Sequence, residues 1–443
     1  MSIYYMDKTG TKATNQGMSY EMKRLFFSLL LILLFCPVQA QVNNVSLEDC
    51  QRLAVSNYPL IQEKDLIKQA NDLVMKNIYA AYYPQVQFGA QVSYQSAVIA
   101  LPLELPGIVI PTLARDQYKA ELDAQQTIYD GHLVSRQKDI QQNNYEMQQQ
   151  KVDVALYQLK DRINQMYFTI LMGQDNDSLL KITSSDLKSR LKIIETSVKN
   201  GTLLSTSADM LSAQILNIDE RIIENHASKT AALNMLGALI GRDLDEKTVL
   251  QKPAEPAFTL TDNTDRRPEF ALYAMEKKSY IVDAELIKAK TFPKFSAFLD
   301  AGYGRPGLNF LDNSLEPYYI AGLRFGINLS NYYTNKKELE IQFINSGIVD
   351  KESETLRTNL TLQLKQEKAE MDKLDSLMVK DEEIIALHKK IAISLSAQLE
   401  NGVITATDYL SEVNSQTEAQ LALQTHRLQK IFAKINYQTI QGK

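Results

Sequence analysis

The chain has 443 residues and a formal net charge of -5 at pH 7, with 48 Lys and Arg residues against 53 Asp and Glu residues. A nucleic-acid-binding protein needs concentrated Lys and Arg to neutralise phosphates, and this sequence has no such cluster. Only two cysteines occur, one of them in a segment expected to be removed, which excludes a disulfide framework and a cysteine-based metal site.

The first 40 residues read as two segments that precede the mature protein. Residues 1–21 are polar and without pattern, and we interpret them as an upstream over-extension. Residues 22–40 contain two basic residues, an apolar run at 25–35 and the small-residue ending VQA, which together are typical of a signal peptide. The apolar run is too short for a membrane-spanning helix, so Gln41 is the expected first mature residue.

From Ser46 the sequence predicts a helix, because a capping residue precedes acidic residues. We expect this helix to reach about Tyr83, with a kink at Pro59. Residues 97–117 contain three prolines and predict a long loop.

Four stretches of about ten residues alternate apolar and polar side chains. The clearest is 318–329, YYIAGLRFGINL, in which Arg324 and Asn328 belong to the polar set. The other three stretches are 86–95, 118–125 and 295–304. A strand with one apolar and one polar face has this period of two, and about 9 to 11 residues are needed for a tilted strand to cross a bilayer.

A very long helix is predicted after the second strand and the turn at Tyr129. Its apolar residues from Val152 to Ile170 are spaced alternately four and three apart, as in coiled coils. About 65 residues in this helix would span on the order of 100 Å. The pair Asn200-Gly201 predicts its end, and a returning helix should follow.

The same plan occurs twice along the chain. Prolines at 59 and 268, and at 84 and 293, are both 209 residues apart (268 − 59 and 293 − 84). The second Asn-Gly pair, Asn401-Gly402, matches the first one. We expect a tandem duplication. Its divisions are a first structural repeat at 41–241, a linker at 242–264 and a second structural repeat at 265–443.

Aromatic residues are placed at both ends of the predicted strands. Those at the ends next to the helices are Tyr82, Tyr83, Tyr129, Phe292, Tyr332 and Tyr333. Those at the ends next to the loops are Tyr94, Tyr118, Tyr303, Tyr318 and Tyr319. Two aromatic belts that bracket apolar strand faces are typical of membrane interfaces. Ordinary tyrosines at the strand ends of a soluble sandwich are the alternative interpretation.

Four strands cannot close a barrel, and open edges in lipid leave backbone groups unpaired at a cost of several kcal/mol each. Two copies would supply eight strands, too few for an open lumen, whereas three supply twelve. We therefore predict an α+β membrane protein with four transmembrane β-strands and long coiled-coil α-helices in each protomer. The homotrimer would form a 12-strand β-barrel in contact with outer-membrane lipid, and an α-helical barrel would continue it.

The chain resembles the TolC family of outer-membrane factors, the outer membrane efflux proteins. The sequences that carry the resemblance are LEDCQRLAVSNYP at 47–59, YYPQ at 82–85, SADMLSAQ at 207–214 and NGVITATDYLSEVNSQ at 401–416. The resemblance covers essentially the whole mature chain. It implies a trimer in the outer membrane of a Gram-negative cell, with a periplasmic helical extension, that works as the exit duct of a tripartite efflux pump or type I secretion system.

The resemblance also implies partners and gate residues. The partners are a periplasmic adaptor protein and an inner-membrane RND or ABC transporter. At the second tip the family pattern of a glycine, a hydroxyl residue and an acid matches Gly402, Thr405 and Asp408. In relatives this acid lies near the closed inner end of the tunnel. At the first tip the matching acid is Asp209, eight residues after Gly201 rather than six.

Either aspartate could instead be a helix-start acid stabilised by the helix dipole, an interpretation compatible with a ring of acids. Asp408 and Asp209 are therefore candidates for the gate and for ion selectivity. The tip residues expected to contact the adaptor are Asn200, Gly201, Asn401, Gly402 and Thr405.

No residue pattern predicts catalysis, a cofactor or a metal site. The four histidines, at 132, 226, 388 and 426, are far apart in the sequence, and we expect them on the surface or in helix seams. No Ser-His-Asp grouping, phosphate-binding loop or metal spacing occurs. Two other classes remain. A periplasmic adaptor would need a lipoyl-like or soluble β-barrel part beside its helical hairpin, and a secreted enzyme would need an active site.

Overall fold

The computed structural model describes residues 44–99, 107, 112–255, 263–309 and 312–443, so the two leader segments lie outside it, as does most of the predicted loop. The elements in chain order are β1 (Asn44–Val45), α1 (Leu47–Asn57), α2 (Leu60–Tyr79), β2 (Gln85–Tyr94), β3 (Asp116–Tyr129), α3 (Leu133–Lys199), α4 (Ser205–Ile240), β4 (Val249–Leu250), α5 (Pro268–Ala289), β5 (Lys294–Arg305), β6 (Glu316–Gly326), α6 (Asn331–Glu400) and α7 (Ala406–Ile440). None of these helices is both long enough and apolar enough to cross a membrane.

The expected single helix from Ser46 to Tyr83 is wrong, because two helices and a short 3-10 turn occupy this stretch. Tyr58 has a ψ of 132°, which is extended backbone. The ring of Pro59 excludes the helical conformation from the residue before it, so the chain breaks there instead of kinking. The 3-10 turn at Ala80–Tyr82 then leads into β2.

The helices α3 and α6 contain 67 and 70 residues, and each spans about 100 Å at 1.5 Å per residue. Asp130 stabilises the start of α3, because its carboxylate accepts hydrogen bonds from the backbone N–H of His132 at 2.9 Å and of Val134 at 2.7 Å. The predicted apolar stripe is confirmed as a packing seam: Ile163 and Ile170 are fully buried.

One hydrophobic core joins α1, α3, α4 and α7 around the short pairing of β1 with β4. Tyr167 is fully buried there, and its hydroxyl lies 2.9 Å from the carbonyl oxygen of Val45 and 2.6 Å from that of Gln251. Cys50 is buried in the same core, and burial raises the pKa of its thiol to about 12. The buried thiol is therefore unreactive at neutral pH.

The four longer strands form one antiparallel sheet in the order β2-β3-β5-β6. The register places Phe88, Leu122, Ala301 and Tyr319 side by side across all four strands. The next rung, on the opposite face, contains Gly89, Glu121, Gly302 and Tyr318. The four apolar faces predicted from the alternation therefore coincide as one face of one sheet.

The strand boundaries differ from the sequence prediction at two places. β3 begins at Asp116, inside the predicted loop, and continues to Tyr129. β6 ends at Gly326, so Asn328 no longer belongs to a strand face. The side chain of Asn328 accepts a hydrogen bond from the backbone N–H of Ser330 at 3.1 Å, a local contact that turns the chain towards α6.

The polar face also contains aromatic rings that the alternation did not predict. Phe298 lies opposite Gly322, and Tyr318 lies opposite Gly302. A Cβ atom at Gly302 would come within 2.6 Å of the Tyr318 ring, and one at Gly322 would come within 2.9 Å of the Phe298 ring. The rings cover glycines on the neighbouring strand, as in the aromatic rescue of glycine in sheets.

Gly241 follows the last residue of α4, and its close approach to α1 can be tested. Its φ is 66°, and a Cβ atom there would lie 2.9 Å from Cβ of Asn57. Because a side chain in the left-handed region costs about 1–2 kcal/mol, Gly241→Ala should lower the midpoint of thermal helix loss, followed by circular dichroism in detergent. Gly347→Ala in α6 is the matched control, since nothing lies within 4 Å of that position. It should raise the midpoint slightly. Equal midpoints for the two variants would contradict the packing at Gly241.

Candidate functional site

The apolar face of the sheet is uncovered in the protomer. Leu323 is 79% exposed, Val92 75% and Phe88 70%. Contiguous apolar surface of this extent is rare on soluble monomers and indicates contact with a membrane or a partner. In the described part of the chain, β2 and β6 each pair on one side only, so the sheet also has two open edges.

The predicted aromatic residues lie at the two margins of the sheet. Those that are exposed are Tyr82, Tyr83, Tyr94, Tyr118, Phe292, Tyr303, Tyr319, Tyr332 and Tyr333. Tyr129 is half-buried and contacts His132, with 5.5 Å between ring centroids. Tyr318 lies on the polar face, where its hydroxyl donates a hydrogen bond to Glu121 at 2.8 Å. The side chains of Tyr318 and Tyr319 therefore lie on opposite faces of the sheet.

The tips of the two helical hairpins have the same backbone geometry. Gly201 and Gly402 have φ values of 73° and 68°, which glycine adopts without strain. At the first tip the N–H of Thr202 donates to the carbonyl of Ser197 at 3.0 Å, and the residue after Gly402 makes the same bond at 2.8 Å. This is the Schellman motif, which explains why both long helices end at an Asn-Gly pair.

The two tips lie against each other. Leu203 of the first tip is 3.6 Å from the position that a Cβ atom of Gly402 would occupy. Arg190 on α3 forms an ion pair with Glu400 at the end of α6. One buried cluster is common to both hairpins, and its members are Leu180, Leu187, Ile194, Leu211, Ile215, Ile218, Leu399, Ala406, Tyr409 and Leu410.

Asp408 forms a capping box with Thr405 at the start of α7. Its carboxylate accepts hydrogen bonds from the Thr405 hydroxyl at 2.6 Å and from the Thr405 backbone N–H at 3.1 Å. In return the Thr405 hydroxyl accepts from the Asp408 backbone N–H at 3.3 Å. The hydrogen bonds from Thr405 lower the pKa of Asp408, so the exposed carboxylate stays charged. The spacing T-x-x-D is a helix-start signal, and the capping box agrees with the interpretation of Asp408 as a helix-start acid.

Asp209 is placed differently. It is exposed on the second turn of α4, and within the described residues no hydrogen bond or ion pair involves it. The N-cap of α4 is Leu204, whose side chain cannot accept a hydrogen bond. The two tips thus share a backbone turn but carry their acids in different environments.

Two of the four histidines are paired with carboxylates between α6 and α7. The Nδ1 atom of His388 lies 2.7 Å from Glu412, and that of His426 lies 2.6 Å from Asp381. These seam positions match the expectation, but the carboxylate partners are 24 and 45 residues away and could not be seen in the sequence. Over the described ranges, no group of three or more His, Cys, Asp or Glu residues is placed to hold a metal ion.

Solved structures similar to this chain are outer-membrane channels. CusC, which forms a transmembrane channel, matches with a TM-score of 0.68 and 15% identity over 89% of this chain and 92% of its own. The outer membrane protein VceC from Vibrio cholerae matches with a TM-score of 0.64 and 12% identity over 89% and 96%. The MtrE outer membrane channel of Neisseria gonorrhoeae matches with a TM-score of 0.62 and 17% identity over 89% of each chain.

No protein-family model matches the chain, and no curated protein does. At 12–17% identity the similarity concerns the fold. The fold is that of these outer-membrane channels, in agreement with the fold that the resemblance in the sequence implied.

The capping box predicts a pH-dependent start of α7. Because the pKa of Asp408 is depressed in the folded protein, the stabilisation by its carboxylate is complete above the ordinary value of 3.8 and is lost as the pH falls through the lower folded value. At pH 6, Asp408→Ala should therefore speed backbone hydrogen exchange over residues 406–409 several-fold, and the difference between the variant and the parent should shrink as the pH falls below 3.8.

Asp209→Ala is the matched control for this measurement, because within the described residues Asp209 makes no hydrogen bond to the backbone at the start of α4. Exchange over the first turn of α4 should be the same with and without this substitution. An equal acceleration at both tips would show that the acids act through the helix dipole rather than through the capping box.

Proposed function

We propose that three copies of this protein share one 12-strand β-barrel and form a passive exit duct in the outer membrane of a Gram-negative cell. The observation that carries the proposal is the sheet, which has four strands, an uncovered apolar face and two open edges. Pairing of β6 with β2 of the next copy would satisfy both edges, and the apolar face would contact lipid. Twelve strands are enough to enclose a water-filled lumen.

The polar face supports a water-filled interior. The charged residues on this face are Glu121, Asp123, Asp300 and Arg324. They lie on the face of the sheet opposite to the apolar face. Charged side chains are costly against lipid and are tolerated where they face water. The long helices α3 and α6 would continue the duct as an α-helical barrel in the periplasm, closed or narrowed at the hairpin tips.

We further propose that the duct serves a tripartite efflux pump or a type I secretion system. A periplasmic adaptor would dock on the tips formed by Asn200, Gly201, Asn401, Gly402 and Thr405, and an inner-membrane RND or ABC transporter would drive transport. Support comes from two exposed apolar residues at the tips, Leu204 at 75% and Val403 at 69% exposure. Exposed apolar groups of this kind provide the anchors of protein interfaces.

The alternative of a periplasmic adaptor agrees less well with the sheet. An adaptor would keep its β-structure in a soluble domain whose apolar residues are buried. Here the strands are inserted between helices, and Phe88, Leu323 and Phe325 are exposed. The barrel proposal uses these exposed residues, whereas the adaptor alternative leaves them unexplained.

The two faces of β2 can be tested with adjacent residues. Phe88 is on the apolar face in the middle of the strand, and Gln87 is on the polar face opposite Asp123. Phe88→Arg should cost roughly 2–4 kcal/mol if it faces the middle of the membrane. The amount of heat-sensitive oligomer extracted from outer membranes should fall strongly for Phe88→Arg and little for Gln87→Arg. Equal loss for both variants would mean that the two faces are assigned wrongly.

The gate proposal concerns Asp408. Three copies around the axis would place three carboxylates near the narrow end, where like charges repel and a bound cation relieves the repulsion. Asp408→Asn removes the charge and keeps an oxygen that can cap α7. We expect this variant to lose cation selectivity and block by divalent cations in single-channel recordings. If it keeps both properties while Asp209→Asn loses them, the constriction lies on the first hairpin.

A further inference from the structure

The polar face of the sheet contains a cavity lined by cations at the margin next to the helices. Its volume is about 480 Å³. The cations are Lys290 after α5, Lys294 at the start of β5 and Arg324 on β6. Among the described residues, the polar groups that line it are Gln125, Ser296, Asn328 and Asn331, and no Asp or Glu lines it.

The three cations have no carboxylate partner within ion-pair distance in the described part of the chain, whereas other basic residues of the sheet have one. Lys119 on β3, for example, forms an ion pair with Glu121, and Arg305 forms one with Asp116. The guanidinium group of Arg324 instead stacks on the ring of Phe298, 4.8 Å from its centroid. Stacking holds the group in place and leaves its in-plane N–H donors for a ligand.

The register makes these groups neighbours. Arg324 lies opposite Ser296, and Lys294 lies opposite Gly326 on the same face, two rungs closer to the helices. Nothing lies within 4 Å of the position of a Cβ atom on Gly326, so the space beside Lys294 is open. Ser296 is only 8% exposed, and its oxygen accepts a hydrogen bond from Gln125 at 3.2 Å. Its hydroxyl proton therefore remains available as a donor.

One further feature favours negative charge at this place. Asn331, which lines the cavity, is the first residue of the 70-residue helix α6, and a helix N-terminus has a positive partial charge. The Asp283 carboxyl group on α5 interacts with the Lys290 ammonium group without lining the cavity, and it opposes anion binding at that cation.

We propose that this cavity is a binding site for soluble oxyanions, such as phosphate or the phosphate and carboxylate groups of passing solutes. The position of the site inside the duct rests on the proposed function, whereas binding itself needs only the protein. Three copies would place nine cations at one level, where the barrel meets the helices. The duct would then have a basic level separated from the acidic tips by the length of α6, about 100 Å.

A lipid headgroup also carries a phosphate group, but the cations lie on the face of the sheet that is directed away from the proposed lipid side. Ser296 and Arg324 lie on the polar face, while Phe295 and Phe325, one rung away on the opposite face, are exposed in the direction proposed for lipid. A headgroup would have to leave the lipid side to reach the cations. A dissolved anion in the lumen would meet them directly.

The test is equilibrium dialysis of the detergent-purified protein against radiolabelled inorganic phosphate at low ionic strength. The double variant K294Q/R324Q should bind phosphate about tenfold to hundredfold more weakly, because two charge-assisted contacts are removed. Arg324→Lys keeps the charge without the stacked guanidinium plane, so its affinity should lie between those of the parent and the double variant, and this would show that charge rather than misfolding is responsible. Lys119→Gln makes a charge change on the same face outside the cavity and should bind as the parent does.

Absence of phosphate binding by the parent, or equal binding by the parent and the double variant, would overturn the site. So would displacement of phosphate by dihexanoyl phosphatidylglycerol at concentrations at which glycerol 3-phosphate has no effect, since the cavity would then take a lipid rather than a dissolved anion. Single-channel recordings separate this inference from the proposed function: phosphate should reduce the current of the parent and not that of K294Q/R324Q. Binding without any channel activity would support the site and refute the duct, and channels that phosphate does not affect would refute the lumenal position.

Discussion

The structure depends on one constraint, which is that the sheet of each protomer is incomplete. β2 and β6 each have a backbone edge without a partner in the described part of the chain, and the apolar face between them is exposed. In water the apolar face is unfavourable, and in lipid the open edges are unfavourable, so neither solvent suits a single copy. A closed assembly satisfies both requirements together.

In the helical part, packing between the helices keeps the two hairpins together. One buried cluster near the tips draws on α3, α4, α6 and α7, and the ion pair between Arg190 and Glu400 connects the two repeats there. The Schellman turns at Gly201 and Gly402 end the long helices at the same level. The protomer therefore has acids at the hairpin tips, Asp408 and Asp209, and cations at the sheet that have no carboxylate partner among the described residues.

The sequence was sufficient for the features that depend on local periodicity. The alternation of apolar and polar residues predicted which residues of 86–95 and 318–329 share a face of the sheet. The spacing of four and three residues in α3 predicted the helix seam in which Ile163 and Ile170 are buried. It was insufficient where a contact comes from a distant element. The position of Phe298 over Gly322, the pairing of His426 with Asp381 and the cations around Arg324 arise from strand register and helix packing, which period alone does not encode. The chain break at Pro59 and the capping box at Asp408 were local signals that could have been recognised.

The central claim is that three copies complete one barrel, and native mass spectrometry of the protein extracted from outer membranes in neutral detergent tests it most directly. Three chains of four strands are the number that closes the sheet around a lumen, since two would supply only eight strands. The account predicts a complex with three times the mass of the single mature chain. A stable complex of one or two chains would contradict it.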